Sequence, residues 1–272
     1  MPDILANGIR LHYQEWGSGP PILWLHGLFG TLHQWEETAQ HLKGRYRVLA
    51  YDARGHGRSE VPPRLEHYSQ DAMVEDLRGV LDALAVRRAI IGGHSMGSNV
   101  ALNFAFRYPD RCTALVLVGI GSGSSDPEGW RANTGRIADL AEGEGMGRVL
   151  EAIKAIPAWA PALTHPLIGP RLAQEVLACS PFGIACTIRG VQMKRPTIFQ
   201  LEPNLTRLTV HTLVVYGELD EPVVECSRFI GQKAQKAQVV AVPGSGHWTH
   251  LEKPAEFLTA LDLFLKGVGA GW

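Results

Sequence analysis

The apolar residues of this chain fall into short runs separated by amphipathic stretches. Ile4-Leu5-Ala6 and Ile9-Arg10-Leu11-His12-Tyr13 flank Asn7-Gly8. Asn-Gly suits a type I′ turn, which needs positive φ at both central positions, so this pair predicts a β-hairpin. Pro21-Ile22-Leu23-Trp24-Leu25 and Tyr46-Arg47-Val48-Leu49-Ala50-Tyr51 come next. Ala89-Ile90-Ile91-Gly92, Ala114-Leu115-Val116-Leu117-Val118, Thr212-Leu213-Val214-Val215-Tyr216 and Gln238-Val239-Val240-Ala241-Val242 follow. These later runs are β-branched and apolar on both faces, as expected of strands covered by helices on both sides.

Helical patterns lie between the runs. Met73, Val74, Leu77, Val80, Leu81 and Leu84 recur at spacings of three and four, which makes one apolar stripe, with Ser69 placed as N-cap. Phe257, Leu258, Leu261, Phe264 and Leu265 repeat the pattern after Pro254. Strands alternating with helices imply crossover connections and a mostly parallel sheet. From about Ser125 to Leu208 the alternation stops. Prolines are frequent there, strand patterns are absent and helical patterns are short, as in Met146, Val149, Leu150 and Ile153. The expected division is an α/β core over residues 1–124 and 209–272, interrupted by a helical cap over 125–208.

A chain of 272 residues, 45% hydrophobic, can bury one large core. The formal net charge is −1 and no basic stripe is present, so nucleic acid is not an expected partner. The first residues lack the basic and apolar regions of a signal peptide, and no apolar run approaches a membrane span. The expected setting is cytoplasmic, away from membranes. None of the 4 cysteines (Cys112, Cys179, Cys186, Cys226) forms a CxxC pair, which argues against a zinc site or a redox pair. Small buried thiols are the expectation.

Candidate chemistry centres on Gly93-His94-Ser95-Met96-Gly97, which joins an apolar run to a helical pattern. A serine at such a strand-to-helix turn, flanked by glycines, matches the G-x-S-x-G nucleophile elbow. A serine hydroxyl needs a base to take its proton, and the base needs a group that fixes its tautomer. His247, in Gly244-Ser245-Gly246-His247 after the last strand, is the candidate base. Asp220, in Gly217-Glu218-Leu219-Asp220-Glu221 after the preceding strand, is the candidate acid. Glu218 and Glu221 are rival acids, His250 is a rival base, and His94 reads as a structural histidine turned away from the nucleophile. The order Ser, Asp, His is the hydrolase order. An oxyanion hole needs backbone N–H donors. Met96 supplies one, and the His26-Gly27-Leu28-Phe29-Gly30 loop supplies the other, from Leu28 in first place and Phe29 in second.

On these motifs the chain resembles the α/β-hydrolase superfamily, in its serine esterase and lactonase branch. The motifs are His26-Gly27-Leu28-Phe29-Gly30, Asp52-Ala53-Arg54-Gly55-His56-Gly57-Arg58-Ser59, Gly93-His94-Ser95-Met96-Gly97, Gly217-Glu218-Leu219-Asp220 and Gly246-His247, in family order. The resemblance implies a mostly parallel eight-stranded sheet with helices on both faces and a helical cap. It also implies that Asp52 and Arg54 tie loops together. Dehalogenases and epoxide hydrolases of this fold use an aspartate where this chain has Ser95. Proline iminopeptidases usually carry tryptophan where it has Met96. Gly-His-Ser-Met-Gly is similar to aryl esterases and 3-oxoadipate enol-lactonases.

The expectation is therefore a serine hydrolase of a small-molecule carboxylic ester or lactone, with no cofactor and no metal. Phe29, Trp130, Trp159 and Trp248 are expected to wall the pocket. Arg136, Arg189, Lys194 and Arg195 could meet a substrate carboxylate or stay on the solvated surface. A carbon–carbon bond hydrolase, an acyl transferase, a lyase or a slow-turnover receptor could use the same residues.

Overall fold

A computed structural model describes residues 2–269. Its strands are β1 (Asp3–Ala6), β2 (Ile9–Trp16), β3 (Pro21–Leu25), β4 (Arg47–Tyr51), β5 (Ala89–His94), β6 (Cys112–Val118), β7 (His211–Gly217) and β8 (Ala237–Val242). They form one 8-stranded sheet in the order β1-β2-β4-β3-β5-β6-β7-β8. β2 runs antiparallel to both of its neighbours, and the remaining pairs are parallel. The predicted hairpin is present: Asn7 and Gly8 join β1 to β2 with φ of 50° and 77°.

The helices are α1 (Glu36–Leu42), α2 (Gln70–Ala83), α3 (Met96–Arg107), α4 (Pro127–Glu144), α5 (Met146–Lys154), α6 (Ala160–Thr164) and α7 (Gly169–Ala178). They continue with α8 (Pro181–Thr187), α9 (Glu202–Leu205), α10 (Glu221–Lys233), α11 (Thr249–Glu252) and α12 (Pro254–Val268). Ser69 caps α2 as predicted, its hydroxyl accepting the Ala72 N–H at 3.0 Å. The helices α4 to α9 all fall between β6 and β7, where the alternation of the sequence stops.

Side-chain alternation along each strand divides the core between the two faces of the sheet. Ile22 and Trp24 of β3 join Trp35, Ala39 and Leu42 near α1 and Phe257, Leu261, Phe264 and Leu265 of α12. Leu23 and Leu25 of the same strand join Met73, Leu77 and Leu81 of α2 and Val100, Leu102 and Phe104 of α3. That second cluster extends into the segment between β6 and β7 through Val149, Ile153, Leu172 and Val176. The 4 cysteines are free and buried. With both faces covered, the parallel strands leave only their ends for chemistry, and ligands of such sheets collect at the carboxyl ends.

Candidate active site

Ser95 lies at the junction of β5 and α3. Its φ of 51° and ψ of −109° put a non-glycine residue in a conformation that costs free energy, and such residues cluster at functional sites. The flanking glycines have a direct physical reason. A Cβ on Gly93 would run into the Gly97 backbone, and one on Gly97 would run into the carbonyl of Leu25 in β3. Ser95 N–H donates to Val118 O at 2.8 Å, which ties the turn to β6. The serine side chain makes no capping bond to α3, so its hydroxyl is left for another partner.

That partner is His247. Its Nε2 lies 3.0 Å from Ser95 Oγ, and its Nδ1 lies 2.6 Å from Asp220 Oδ2. A carboxylate only accepts, so Nδ1 carries the hydrogen and Nε2 is the bare nitrogen facing the serine. His247 and Asp220 are both buried. The rival carboxylates separate by exposure: Glu218 and Glu221 face solvent, while Asp220 points inward. His250 sits on α11, stacked on Trp35 with centroids 4.4 Å apart, and burial pushes its pKa down to about 3. It is a neutral core histidine away from the serine.

The loop carrying His247 is held by groups the sequence did not single out. Glu252 accepts the Gly246 N–H and the Trp248 N–H, each at 2.8 Å, and so clasps the histidine from both sides. Ala158 O accepts the His247 N–H at 3.0 Å. His94 turns away from the nucleophile as expected, and its Nε2 lies 3.0 Å from the His247 carbonyl oxygen. That carbonyl accepts, so the hydrogen of His94 is on Nε2, while Nδ1 is buried without a partner. Burial, and then the neighbouring histidines, hold His94 well below the usual histidine range, so its ring stays neutral.

The His26-Gly27-Leu28-Phe29-Gly30 loop closes with Gly30 N–H donating to Gly27 O at 3.1 Å. Phe29 has a φ of 66°, the positive value that the third residue of a type II turn requires. No protein acceptor among the described residues takes the N–H of Leu28, Phe29 or Met96. His26 fixes this loop to the next one, with Nδ1 2.8 Å from Gly27 O and Nε2 accepting the Ala53 N–H at 2.9 Å. Asp52 accepts the N–H groups of Leu32 and Arg58 at 2.8 and 2.9 Å, and Arg54 forms a buried pair with Asp76 at 2.6 Å. Asp52 thus ties loops together, as the resemblance implied, and Arg54 ties its own loop to α2 through Asp76 and to the segment before α2 through His67 O.

Helix α7 and Cys179 just after it hold this loop and the turn that follows it. Arg171 donates to His33 O, Gln34 Nε2 donates to Glu175 Oε2 at 3.0 Å, and Cys179 Sγ lies 3.7 Å from Phe29 O. Burial pushes the Glu175 carboxyl up to about 7, against the pull of Arg171 and Gln34. A carboxyl whose folded pKa is raised binds its proton more tightly in the folded state. Its protonation therefore stabilises the fold at low pH, and this is lost as pH rises towards 7. Glu175→Gln should thus gain on the wild type by about 3 kcal/mol between pH 4 and pH 8. Thermal melts at the two pH values check this. A difference in Tm between the variants that does not change with pH would contradict it.

Of the aromatic residues expected around the site, two pack on His247 and a third packs on one of these. Trp159 stacks on its ring with centroids 5.4 Å apart, Trp248 meets it edge-on at 5.3 Å, and Phe29 packs edge-on against Trp159 at 6.2 Å. Trp130 stands apart from this group. Its indole N–H donates to Gln192 O at 3.2 Å, and the Arg195 guanidinium lies 5.6 Å from its ring centroid. Arg189 pairs with Asp139 and Glu142. Arg136 and Lys194 are exposed, whereas Arg195 is partly buried.

Comparison with known proteins places this geometry in context. A family model described as alpha/beta hydrolase fold matches residues 20–152. A 2-hydroxymuconate semialdehyde hydrolase from Pseudomonas sp. (strain CF600) is 30% identical, over 98% of this chain and 94% of that protein. The enol-lactonase from Burkholderia xenovorans LB400 superposes with a TM-score of 0.86 at 26% identity, covering 97% of this chain and 100% of that one. A thermophilic esterase from Thermogutta terrifontis gives a TM-score of 0.85 at 28% identity, covering 98% of each chain.

Proposed function

The chain belongs to the alpha/beta hydrolase fold family, and from that premise we propose that it is a serine hydrolase of carboxylic esters or lactones. The observation that carries this reading is the relay Ser95–His247–Asp220, with spacings of 3.0 and 2.6 Å, at the ends of β5, β8 and β7. The likeness to an enol-lactonase and to an esterase supports an ester-type carbonyl as the target.

In this reading Ser95 Oγ attacks the carbonyl carbon while its proton passes to His247 Nε2. Asp220 holds the tautomer and stabilises the imidazolium that forms. The N–H groups of Leu28 and Met96 hold the oxyanion, where backbone donors are already in place and need no reorganisation. When the tetrahedral intermediate collapses, the leaving alkoxide takes the proton from His247. Water then attacks the acyl-enzyme with His247 as base again, releasing the acid and restoring the serine. The helical segment over residues 125–208 acts as a cap, with Trp159 and Trp248 as apolar walls that exclude water.

A second reading has the same residues hydrolyse a carbon–carbon bond, and the match to a 2-hydroxymuconate semialdehyde hydrolase favours it. One panel separates the two: a p-nitrophenyl ester, a lactone and a vinylogous diketone, each at equal concentration. The ester reading expects kcat/KM on the ester or lactone to exceed that on the diketone by at least tenfold. Preference for the diketone selects the second reading, and turnover of none of them removes both.

A further inference from the structure

His247 is held through its ring and through its main chain, and the two holds come from different residues. Asp220 and Ser95 meet the two ring nitrogens, at 2.6 and 3.0 Å. The main chain is held elsewhere. Ala158 O accepts the His247 N–H at 3.0 Å, and His94 donates to the His247 carbonyl oxygen at 3.0 Å. Glu252 takes the N–H groups on either side, with Oε2 on Gly246 and Oε1 on Trp248, each at 2.8 Å. Every N–H from Gly246 to Trp248 thus has an acceptor, and one carboxylate serves both flanks of the histidine.

Helix capping accounts for only half of this arrangement. Glu252 ends α11, and the Trp248 N–H lies at the start of that helix, where a glutamate one turn on can reach back to an orphan donor. Gly246 lies outside the helix, beyond His247, and its N–H needs no cap. The approach on that side depends on the glycine. A Cβ on Gly246 would come within 3.2 and 3.3 Å of the two Glu252 oxygens and 2.7 Å of Ala158 O. Both oxygens accept at short range, as an ionised carboxylate does, whereas an amide has one oxygen to offer. The charge is costly here. Burial pushes the Glu252 carboxyl up, although the two N–H groups and His247 pull it down. A folded-state pKa above the ordinary value means that the ionised form weakens the fold at neutral pH. Stability alone gives no reason for an ionised carboxylate at this position.

We propose that Glu252 is a positioning residue for the reaction: by gripping the main chain on both sides of His247, it sets the place from which the imidazole meets Ser95. Its role in turnover rests on the serine-hydrolase reading above, whereas its hold on the ring does not. Glu252 touches no reacting atom, so its loss acts through the geometry of His247 and not through substrate binding.

The test compares Glu252→Gln, Glu252→Asp and the exposed Glu256→Gln on a p-nitrophenyl ester, records thermal melts, and follows the His247 Nδ1 proton by NMR. In Glu252→Gln the amide keeps one of the two bonds and turns its N–H₂ on the other donor. kcat should fall at least tenfold, and as far as about 10²-fold, the cost of shifting a reacting group by about 1 Å, while KM stays within about twofold. Tm should stay within a few degrees, because the lost bond is offset by removal of a desolvated charge. The bond from Nδ1 to Asp220 is short at 2.6 Å, so its proton resonates far downfield and reports on the ring directly. That signal should shift or broaden in Glu252→Gln and stay unchanged in Glu256→Gln. Glu252→Asp keeps both oxygens one methylene short, so kcat and signal should lie between those of the wild type and of Glu252→Gln. Wild-type kcat in Glu252→Gln overturns the proposal. So does a fall in kcat that comes with a large loss of Tm and an unmoved proton signal, since Glu252 is then a cap of α11 only. Should Glu252→Gln fail to fold, Glu252→Asp decides by the same two readouts. Undiminished turnover by Ser95→Ala would remove the hydrolase reading instead, and the proton signal would still decide whether Glu252 holds the ring.

Discussion

Ser95→Ala is expected to lower kcat on a p-nitrophenyl ester by at least about 10⁴-fold, because it removes the atom that forms the acyl-enzyme. The fold should survive this change. The hydroxyl bonds only to His247, and the positive φ of 51° strains serine and alanine alike because both carry a Cβ. The melting temperature should therefore stay within a few degrees of the wild type. Intact-mass analysis after a serine-directed phosphonate should show one adduct on the wild type and none on the variant. Retention of most of the esterase activity by Ser95→Ala would end the serine-hydrolase reading.

Asp220→Asn should cost nearly as much, about 10⁴-fold in kcat, with KM little changed. An amide is nearly isosteric with the carboxylate, so the packing of this buried residue is kept. It can donate to Nδ1 instead of accepting from it, which would shift the hydrogen of His247 to Nε2 and leave no base facing Ser95. Glu218→Gln and Glu221→Gln serve as internal comparisons, since both residues face solvent. Each should keep kcat within about twofold, the range expected of exposed positions that make no such bond. If Glu218→Gln or Glu221→Gln proved as damaging as Asp220→Asn, the assignment of the acid would be wrong.

Much of the fold was legible because it rests on local rules. The two-residue Asn7-Gly8 turn, the stripe of α2 and the apolar runs of the central strands each follow from backbone preference or side-chain period within a few residues. The segment between β6 and β7 was legible only as a departure from that pattern. Its helices are short and proline-bounded, and what they pack against depends on contacts far along the chain. Glu252 illustrates the limit. In sequence it is one carboxylate in a helical turn, and only folding brings both its oxygens onto the N–H groups of Gly246 and Trp248. Trp130 is a second case. In sequence it is one aromatic residue of the segment between β6 and β7, and only folding puts its indole N–H on Gln192 O beside Arg195.

The sequence by itself determined the elbow at Ser95, the first hairpin, the apolar strands, the stripes of α2 and α12, and the order of serine, acid and histidine. These depend on glycine at a crowded turn, on hydrophobic period, and on residues just past strand ends, all of which are short-range. Only the tertiary structure decided which of three closely spaced acids turns inward, and which histidine faces the serine. It alone set α7 and Cys179 on the segment from Phe29 to Gln34, and brought Ser122, Gln192 and Arg195 to one cavity. The physical reason is common to these cases. Burial and hydrogen-bond partners belong to packing between distant segments, and neighbours in sequence carry no record of them.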